Sequence, residues 1–314
     1  MDAGIIIQIV LLIAGFVFLI KGSDLFVDGS SNIAYLLKIP TIIVGLTIVA
    51  FGTSAPEAAV SIASSLAGSN SIAIGNIVGS NLFNILFIIG ITALLSELKV
   101  EKSVLKQDLP FLICITLLLV AFLAIDLKIS TIEGLILLAI LFGYIYHLIR
   151  SARKESNSNE VETPTLSLPK SIVFILIGIA GIVLGGDLVV NSASAIAIAF
   201  GMSEKLVGLT IVAMGTSLPE LVTSLTALKK GENQLAIGNV IGSNIFNILF
   251  VVGASGAIRE LVIEPSLMVD IVFMAFVTIL FYVFGKTQLK YDKNEGIVFI
   301  TLFVIYMAFA ILRN

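Results

Sequence analysis

Apolar positions along this chain run in blocks of about 20 residues, the length that lets a helix cross a hydrocarbon core. The blocks recur from one end to the other and predict ten spans, at 4–28, 40–66, 71–96, 105–125, 129–150, 169–193, 205–228, 233–258, 265–285 and 295–312. Polar residues cluster between them, and the one long polar stretch, 151–168, reads as a solvated linker with five spans on either side. The apolar run 5–20 resembles a signal peptide but lacks a basic start and a small-residue cleavage site, and a counterpart recurs later in the chain, so it counts as a span.

Composition agrees. Of 314 residues 58% are hydrophobic and 12% charged, too few charges to coat a soluble protein of this size. Mean hydropathy is +1.12. Cys114 is the only cysteine and His147 the only histidine, which excludes intrachain disulfides, Cys clusters and multi-His metal sites. No cofactor and no nucleic-acid partner is expected. Lys and Arg set the orientation: thirteen follow odd-numbered spans, against Lys128, Lys205, Arg259 and Arg313 on the other side. This expectation puts the linker in the cytoplasm and both termini outside a cell membrane.

The chain is also a duplication. Residues 43–57, IVGLTIVAFGTSAPE, match 206–220, LVGLTIVAMGTSLPE, at twelve of fifteen positions, and 75–86 match 238–249 at nine of twelve, all at an offset of 163. Gly22 and Asp24 find Gly185 and Asp187 at the same offset. Five spans per copy is an odd number, so the second copy must enter the membrane from the opposite side. The expected fold is therefore all-α and integral to the membrane: ten transmembrane helices in two inverted five-helix repeats, 1–150 and 169–314, with duplicated motifs at 43–86 and 206–249. Inverted repeats with interrupted helices at the midplane are a recurring plan of secondary transporters.

Glu57 falls near the middle of the second span, where a carboxylate is costly and marks a functional site by default. Ala50, Thr53, Ser54 and Glu57 lie along one helical face. Pro56 has no N–H to offer the Gly52 carbonyl, which predicts a broken helix rich in exposed oxygens. Thr216, Ser217, Pro219 and Glu220 repeat the pattern. After a short turn the third span brings Ser80 and Asn84 to similar depth, and Ser243 and Asn247 do the same opposite Glu220. Oxygen donors of this kind suit hard cations. Two close carboxylates also demand a cation or proton at all times, a reason for exchange rather than leak.

The bland alternatives differ by residue. A single buried Glu can be a structural carboxylate, but two in matched motifs weigh against that. Gly79 and Gly242 suit close helix packing, and Ser80 and Ser243 can bond back to their own helices. Asn76, Asn81, Asn239 and Asn244 fit either cavity lining or structural hydrogen bonding. Asp24 and Asp187 read as structural, Lys21 as snorkelling, and Asp108, Asp126, Asp270 and His147 as interfacial, the three aspartates lacking matched partners. Phe83 and Phe246 read as packing, with a gating contribution open.

GTSAPE with GSNLFN, and GTSLPE with GSNIFN, resemble the two alpha-repeats of the Na+/Ca2+ exchanger branch of the cation/Ca2+ exchanger superfamily, and the resemblance spans nearly the whole chain. It implies alternating access by movement of the first and sixth spans against an eight-helix core. It implies Ca2+ held by Glu57, Glu220 and the carbonyls of Thr53 and Thr216. Sodium sites would add Ala50, Ser54, Ser80, Ala213, Ser217 and Ser243. Asn84 and Asn247 are neutral where the potassium-dependent branch resembles some prokaryotic exchangers in having Asp at the position of Asn247, which implies K+-independent transport. Exchange of three Na+ for one Ca2+, electrogenic by one charge, is likewise implied by the resemblance, as is a prokaryotic form without the large Ca2+-sensing region. A Ca2+/H+ exchanger on the same fold is the nearest rival, and a passive channel stays open. A hydrolase would need a base that Ser54 and Ser217 lack.

Overall fold

In the computed structural model, residues 3–155, 163–202, 207 and 211–313 are described. The chain is almost wholly helical. Its helices are α1 Ala3–Leu37, α2 Thr41–Thr53, α3 Ala55–Leu66, α4 Asn70–Leu95, α5 Lys102–Asp126, α6 Thr131–Glu155, α7 Leu168–Ala199, α8 Leu218–Lys229, α9 Asn233–Ile258, α10 Leu267–Gln288 and α11 Lys293–Arg313. Four two-residue strands sit between them: β1 Leu98–Lys99, β2 Lys128–Ile129, β3 Leu261–Val262 and β4 Lys290–Tyr291.

Among the described residues, eight helices are long and apolar enough to cross a membrane, and α2 with α3 make a ninth span bent by 50°. The seventh expected span begins outside the described residues. Its described part is a short helix, Ala213–Gly215, followed by α8, which repeats the broken geometry of α2 and α3.

The bounds of α3 and α8, of α4 and α9, and of β1 and β3 differ by the same 163 residues. After β3 the offset falls to 162, because the connection into α10 is one residue shorter. Strand β1 pairs with β4, and β2 with β3, both antiparallel. Helix α5 lies between β1 and β2 in the chain and separates the two ribbons by its length. A strand and its repeat counterpart therefore sit at opposite ends of the molecule, which is the inverted relation read as geometry. Matching ion pairs flank the ribbons, Lys290 to Glu97 at 2.8 Å and Lys128 to Glu260 at 3.3 Å. Being exposed, they contribute little.

Several expected boundaries move. Helix α1 runs to Leu37, not 28, and α7 to Ala199, not 193. The extension of α1 carries Ser30, Ser31 and Asn32, polar but buried against the protein. Asn32 donates to Leu166 O (2.8 Å) and Ser171 Oγ (2.7 Å) and accepts from the backbone N–H of Thr165 and Leu166. Hydropathy read that polarity as an exit from the membrane. Helix α6 likewise continues to Glu155, five residues into the stretch read as linker.

Helices α1 and α7 pack antiparallel, backbone against backbone. A Cβ on Gly22 would lie 2.7 Å from Ile182 N, one on Gly185 2.6 Å from Leu19 N, and one on Gly15 2.9 Å from Gly185 O. Their other faces are largely apolar and exposed, with Val10, Ile13, Val17 and Leu176 facing outward. Close approach of two backbones through glycine is how helices associate where water supplies no hydrophobic drive.

Two aspartates read as interfacial are buried. Asp108 is 6% exposed and Asp270 3%. They are also repeat counterparts at the 162 offset, a match that the single offset of 163 conceals. Asp126, by contrast, is an exposed partner of Lys128, as an interfacial residue should be.

Candidate functional site

The break between α2 and α3 falls at Ser54, whose φ and ψ of −83° and 8° leave the helical region. Ser217 repeats it at −93° and 6°. In each case proline occupies the first turn of the helix that follows, where its missing N–H costs least. The interrupted ladder thus places Glu57 and Glu220 in the first turns of α3 and α8. Helix-interior glycines let the neighbouring elements close in: a Cβ on Gly242 would meet Leu46 Cα and the Ala50 methyl at 2.7 Å. Close packing is therefore what Gly242 does.

Glu57 and Glu220 have no solvent exposure, and neither do Ala50, Thr53, Ser54, Ser217, Ser80, Ser243, Asn84 and Asn247. Thr216 is half-buried and Ala213 begins the short helix ahead of it. The two repeats complete one another. Ser54 Oγ donates to Glu220 Oε1 at 2.7 Å, and Ser217 Oγ donates to Glu57 Oε1 at 3.0 Å. Thr53 Oγ1 donates to Asn239 Oδ1 (3.0 Å), and Thr216 Oγ1 to Asn76 Oδ1 (3.2 Å). Asn84 Nδ2 donates to Asn244 Oδ1 (3.0 Å), and Asn247 Nδ2 to Asn81 Oδ1 (3.1 Å). Every one of these bonds crosses from one repeat to the other.

Asn76 and Asn239 are hubs. Besides accepting from their threonine, they donate to Ser61 Oγ and Ser224 Oγ at 3.0 Å and to the backbone carbonyls of Glu57 and Glu220 at 3.4 and 3.3 Å. The sequence left their role open; the duplicated GN at 75–76 and 238–239 was the available signal. Asn81 and Asn244 join the same lattice.

What remains is a set of buried oxygens without hydrogen-bond partners: Glu57 Oε2, Glu220 Oε2, Ser80 Oγ, Ser243 Oγ, Asn84 Oδ1 and Asn247 Oδ1. They come in three counterpart pairs. Ser80 and Ser243 do not bond back to their own helices. Ala50 contributes a carbonyl that accepts the Ser54 N–H at 3.0 Å. Leaving six such oxygens unpaired in a protein interior is costly, and oxygens are the donors a hard cation takes; the amide nitrogens of Asn81 and Asn244 in the same cluster are also without partners. Among the described residues no group of three or more His, Cys, Asp or Glu side chains forms a metal cluster. The centre has two carboxylates and neutral oxygens.

The centre is not equally sealed at both ends. Thr53 and Asn239 are fully buried, whereas their counterparts Thr216 and Asn76 are half-buried. Asp24 and Asp28 of α1 meet Lys230 at the end of α8: Lys230 Nζ lies 2.6 Å from Asp28 Oδ1 and 2.9 Å from Asp24 O. Tyr35 donates to Glu232 nearby. Asp187, the counterpart of Asp24, instead accepts from Asn191 on its own helix. Phe83 stacks on Phe87 and Phe246 on Phe250, and Phe246 also packs on Phe51.

A family model described as sodium/calcium exchanger protein matches residues 7–150 and again 170–312. The chain belongs to the sodium/calcium exchanger family. The exchanger is 41% identical over 272 residues to a putative antiporter, CaxA, of Alkalimonas amylolytica, covering 83% of this chain and 84% of that one. It is 33% identical to the sodium/calcium exchanger MaX1 of Methanosarcina acetivorans, covering 96% and 98%. Among solved structures it is similar to the sodium-calcium exchanger NCX_Mj, with a TM-score of 0.86 at 31% identity over 97% of this chain and 99% of that one. The exchanger is thus a membrane-spanning cation/Ca2+ antiporter.

Proposed function

We propose that the exchanger carries Na+ one way and Ca2+ the other, three Na+ per Ca2+, moving one net charge and needing no K+. The observation that carries this reading is the reciprocal pairing of Ser54 with Glu220 and Ser217 with Glu57. Each carboxylate keeps one oxygen held by the opposite repeat and the other oxygen unpartnered. Two carboxylates balance one Ca2+, with Thr53 and Thr216 adding carbonyls. Without Ca2+ the same charges suit Na+, helped by Ser54, Ser217, Ser80, Ser243, Ala50 and Ala213, with Asn84 and Asn247 as neutral oxygens. Protons need only the carboxylates, so the neutral oxygens favour Na+ over H+ as the coupling ion. The neutral Asn247 leaves no third charge for K+.

Access alternates as α1 and α7, locked together through Gly15, Gly22 and Gly185, move as one body past the remaining helices. In the orientation set by Lys and Arg, the linker is cytoplasmic and both termini lie outside the cell membrane. The fully buried Thr53–Asn239 side then faces the cytoplasm and the half-buried Thr216–Asn76 side faces out.

The test is Ca2+ uptake into proteoliposomes driven by an outward Na+ gradient, with choline, K+-free and pH-clamped controls. Uptake that requires internal Na+, ignores K+ and vanishes in Glu57→Ala and Glu220→Ala is expected. Uptake that ignores Na+ and follows a pH gradient would transfer the chain to Ca2+/H+ exchange, and conductance without counter-ion would make it a channel.

A further inference from the structure

Asn81 and Asn84 lie one helical turn apart on α4, and Asn244 and Asn247 repeat them on α9. None of the four is more than 1% exposed. They pair crosswise between the repeats: Asn84 Nδ2 donates to Asn244 Oδ1 at 3.0 Å, and Asn247 Nδ2 donates to Asn81 Oδ1 at 3.1 Å. Each pair leaves one oxygen end and one amino end over. Asn84 Oδ1 and Asn247 Oδ1 have no hydrogen-bond partner, and neither do Asn81 Nδ2 and Asn244 Nδ2. Shape does not dictate this division, because the two ends of a carboxamide are close in size and hydrogen bonds alone tell them apart. Turned round as a unit, a pair would keep its internal bond, but Asn247 would then offer an amino group and Asn81 an oxygen. An amino group is a donor and gives a hard cation nothing to bind. The end that Asn84 and Asn247 present therefore follows from the atom the opposite asparagine turns toward them.

We propose that Asn81 and Asn244 are positioning residues for the cation centre, each holding an asparagine of the opposite repeat so that its oxygen, and not its amino group, is left for the ion. The inference rests on the proposed function, in which Asn84 and Asn247 serve as neutral oxygens. Asn81 acts through Asn247, and Asn244 through Asn84. Neither coordinates the ion itself, since the end each leaves free is its amino group. The arrangement adds selectivity without charge: four amides cross-check one another, and two oxygens emerge from them. It also makes each repeat depend on the other at a second place, apart from the serine–glutamate bonds.

The experiment is a set of double-mutant cycles on the full chain in detergent. Apparent affinity is read from the rise in Tm with Na+ or Ca2+ concentration, and Tm in choline alone reports folding. Asn81→Leu and Asn244→Leu keep the volume and remove the acceptor. Each should weaken the same cation that Asn247→Leu and Asn84→Leu weaken, by about two- to tenfold. Asn81→Leu should add nothing to Asn247→Leu but add fully to Asn84→Leu, and Asn244→Leu should show the mirror pattern. Asn81→Asp, which can only accept, should bind better than Asn81→Leu when Asn247 is present and lose that advantage in Asn247→Leu. A simple charge effect would persist there. A merely structural role would lower Tm in choline without this crossed pattern. Alanine at the same positions carries the cycle should a leucine variant not fold. Additive losses in every pair, coupling within a repeat instead of across, or wild-type affinity in Asn81→Leu and Asn244→Leu overturn the proposal. So does unchanged affinity for both cations in Asn84→Leu and Asn247→Leu. Failure of the proposed function shows elsewhere: if wild-type uptake ignores Na+, the Ca2+ cycle still decides this inference.

Discussion

Ser54 of the first repeat donates its hydroxyl proton to Glu220 of the second at 2.7 Å, and both side chains are wholly buried. Because Ser217 does the same for Glu57, neither carboxylate is held by its own repeat alone. Each repeat therefore completes the carboxylate site of the other, and one copy alone would leave both oxygens of its glutamate without that hydroxyl.

Removing one of these hydroxyls should act on binding more than on folding. A hydrogen bond to a charged group is worth about 1.5–3 kcal/mol, so Ser54→Ala and Ser217→Ala should each weaken apparent Ca2+ affinity by roughly tenfold or more. Initial rates of Ca2+ uptake against Ca2+ concentration would show this. Similar losses from the two variants are expected, since the bonds are counterparts.

Asn247→Asp would test the neutral side of the site. Asn247 Nδ2 donates to Asn81 Oδ1 at 3.1 Å, and a carboxylate there would face that oxygen with no proton to give. Asn81 must turn its amide round, and the third negative charge needs another cation in a low-dielectric interior. Exchange should fall at least about tenfold in K+-free solution and recover in part when a further monovalent cation is added. Full activity in Na+ alone would show that Asn247 lies off the ion path.

The glycine contacts between α1 and α7 leave no room for a methyl group. Gly22→Ala puts its Cβ 2.7 Å from the backbone nitrogen of Ile182, which cannot rotate away, whereas Gly4→Ala meets nothing within 4 Å. Gly22→Ala should cost about 1–3 kcal/mol through overpacking and slow exchange; Gly4→Ala should do neither. Thermal unfolding in detergent and uptake rates on the same preparations separate the two variants.

Lys230 ties the end of α8 to Asp24 and Asp28 of α1, a tether that Asp187 does not repeat among the described residues. An exposed ion pair of this kind is worth about 0.2–1 kcal/mol. Lys230→Ala should therefore shift the balance between the two access states by up to about fivefold. In the orientation proposed above, apparent Ca2+ affinity measured from the linker side should rise while the opposite side weakens. Oriented vesicles at low salt report both, and high salt should erase the difference between variant and wild type.

Hydropathy and self-similarity carried most of the architecture. Runs of about 20 apolar residues, the odd number per repeat and the offset of 163 sufficed for an inverted all-helical bundle, because backbone groups in lipid must be satisfied within a helix. Glu57 and Glu220 stood out for the same reason: a carboxylate at membrane depth is expensive, and the same broken motif carries it twice. Pro56 and Pro219 announced the breaks, although the residues that leave helical geometry are Ser54 and Ser217.

What a linear reading could not reach depends on neighbours far apart in sequence. Asn32 looked like a helix exit until its bonds to Leu166 and Ser171 turned it inward. Asp108 and Asp270 looked interfacial until Tyr144 and Arg313 covered them. The pairings Ser54–Glu220, Thr53–Asn239 and Asn84–Asn244 span well over a hundred residues. Hydropathy averages a window of one helix and reports only whether lipid or water suits it. Whether a buried polar group has a partner is decided by which helix packs against it, and only the folded chain settles that.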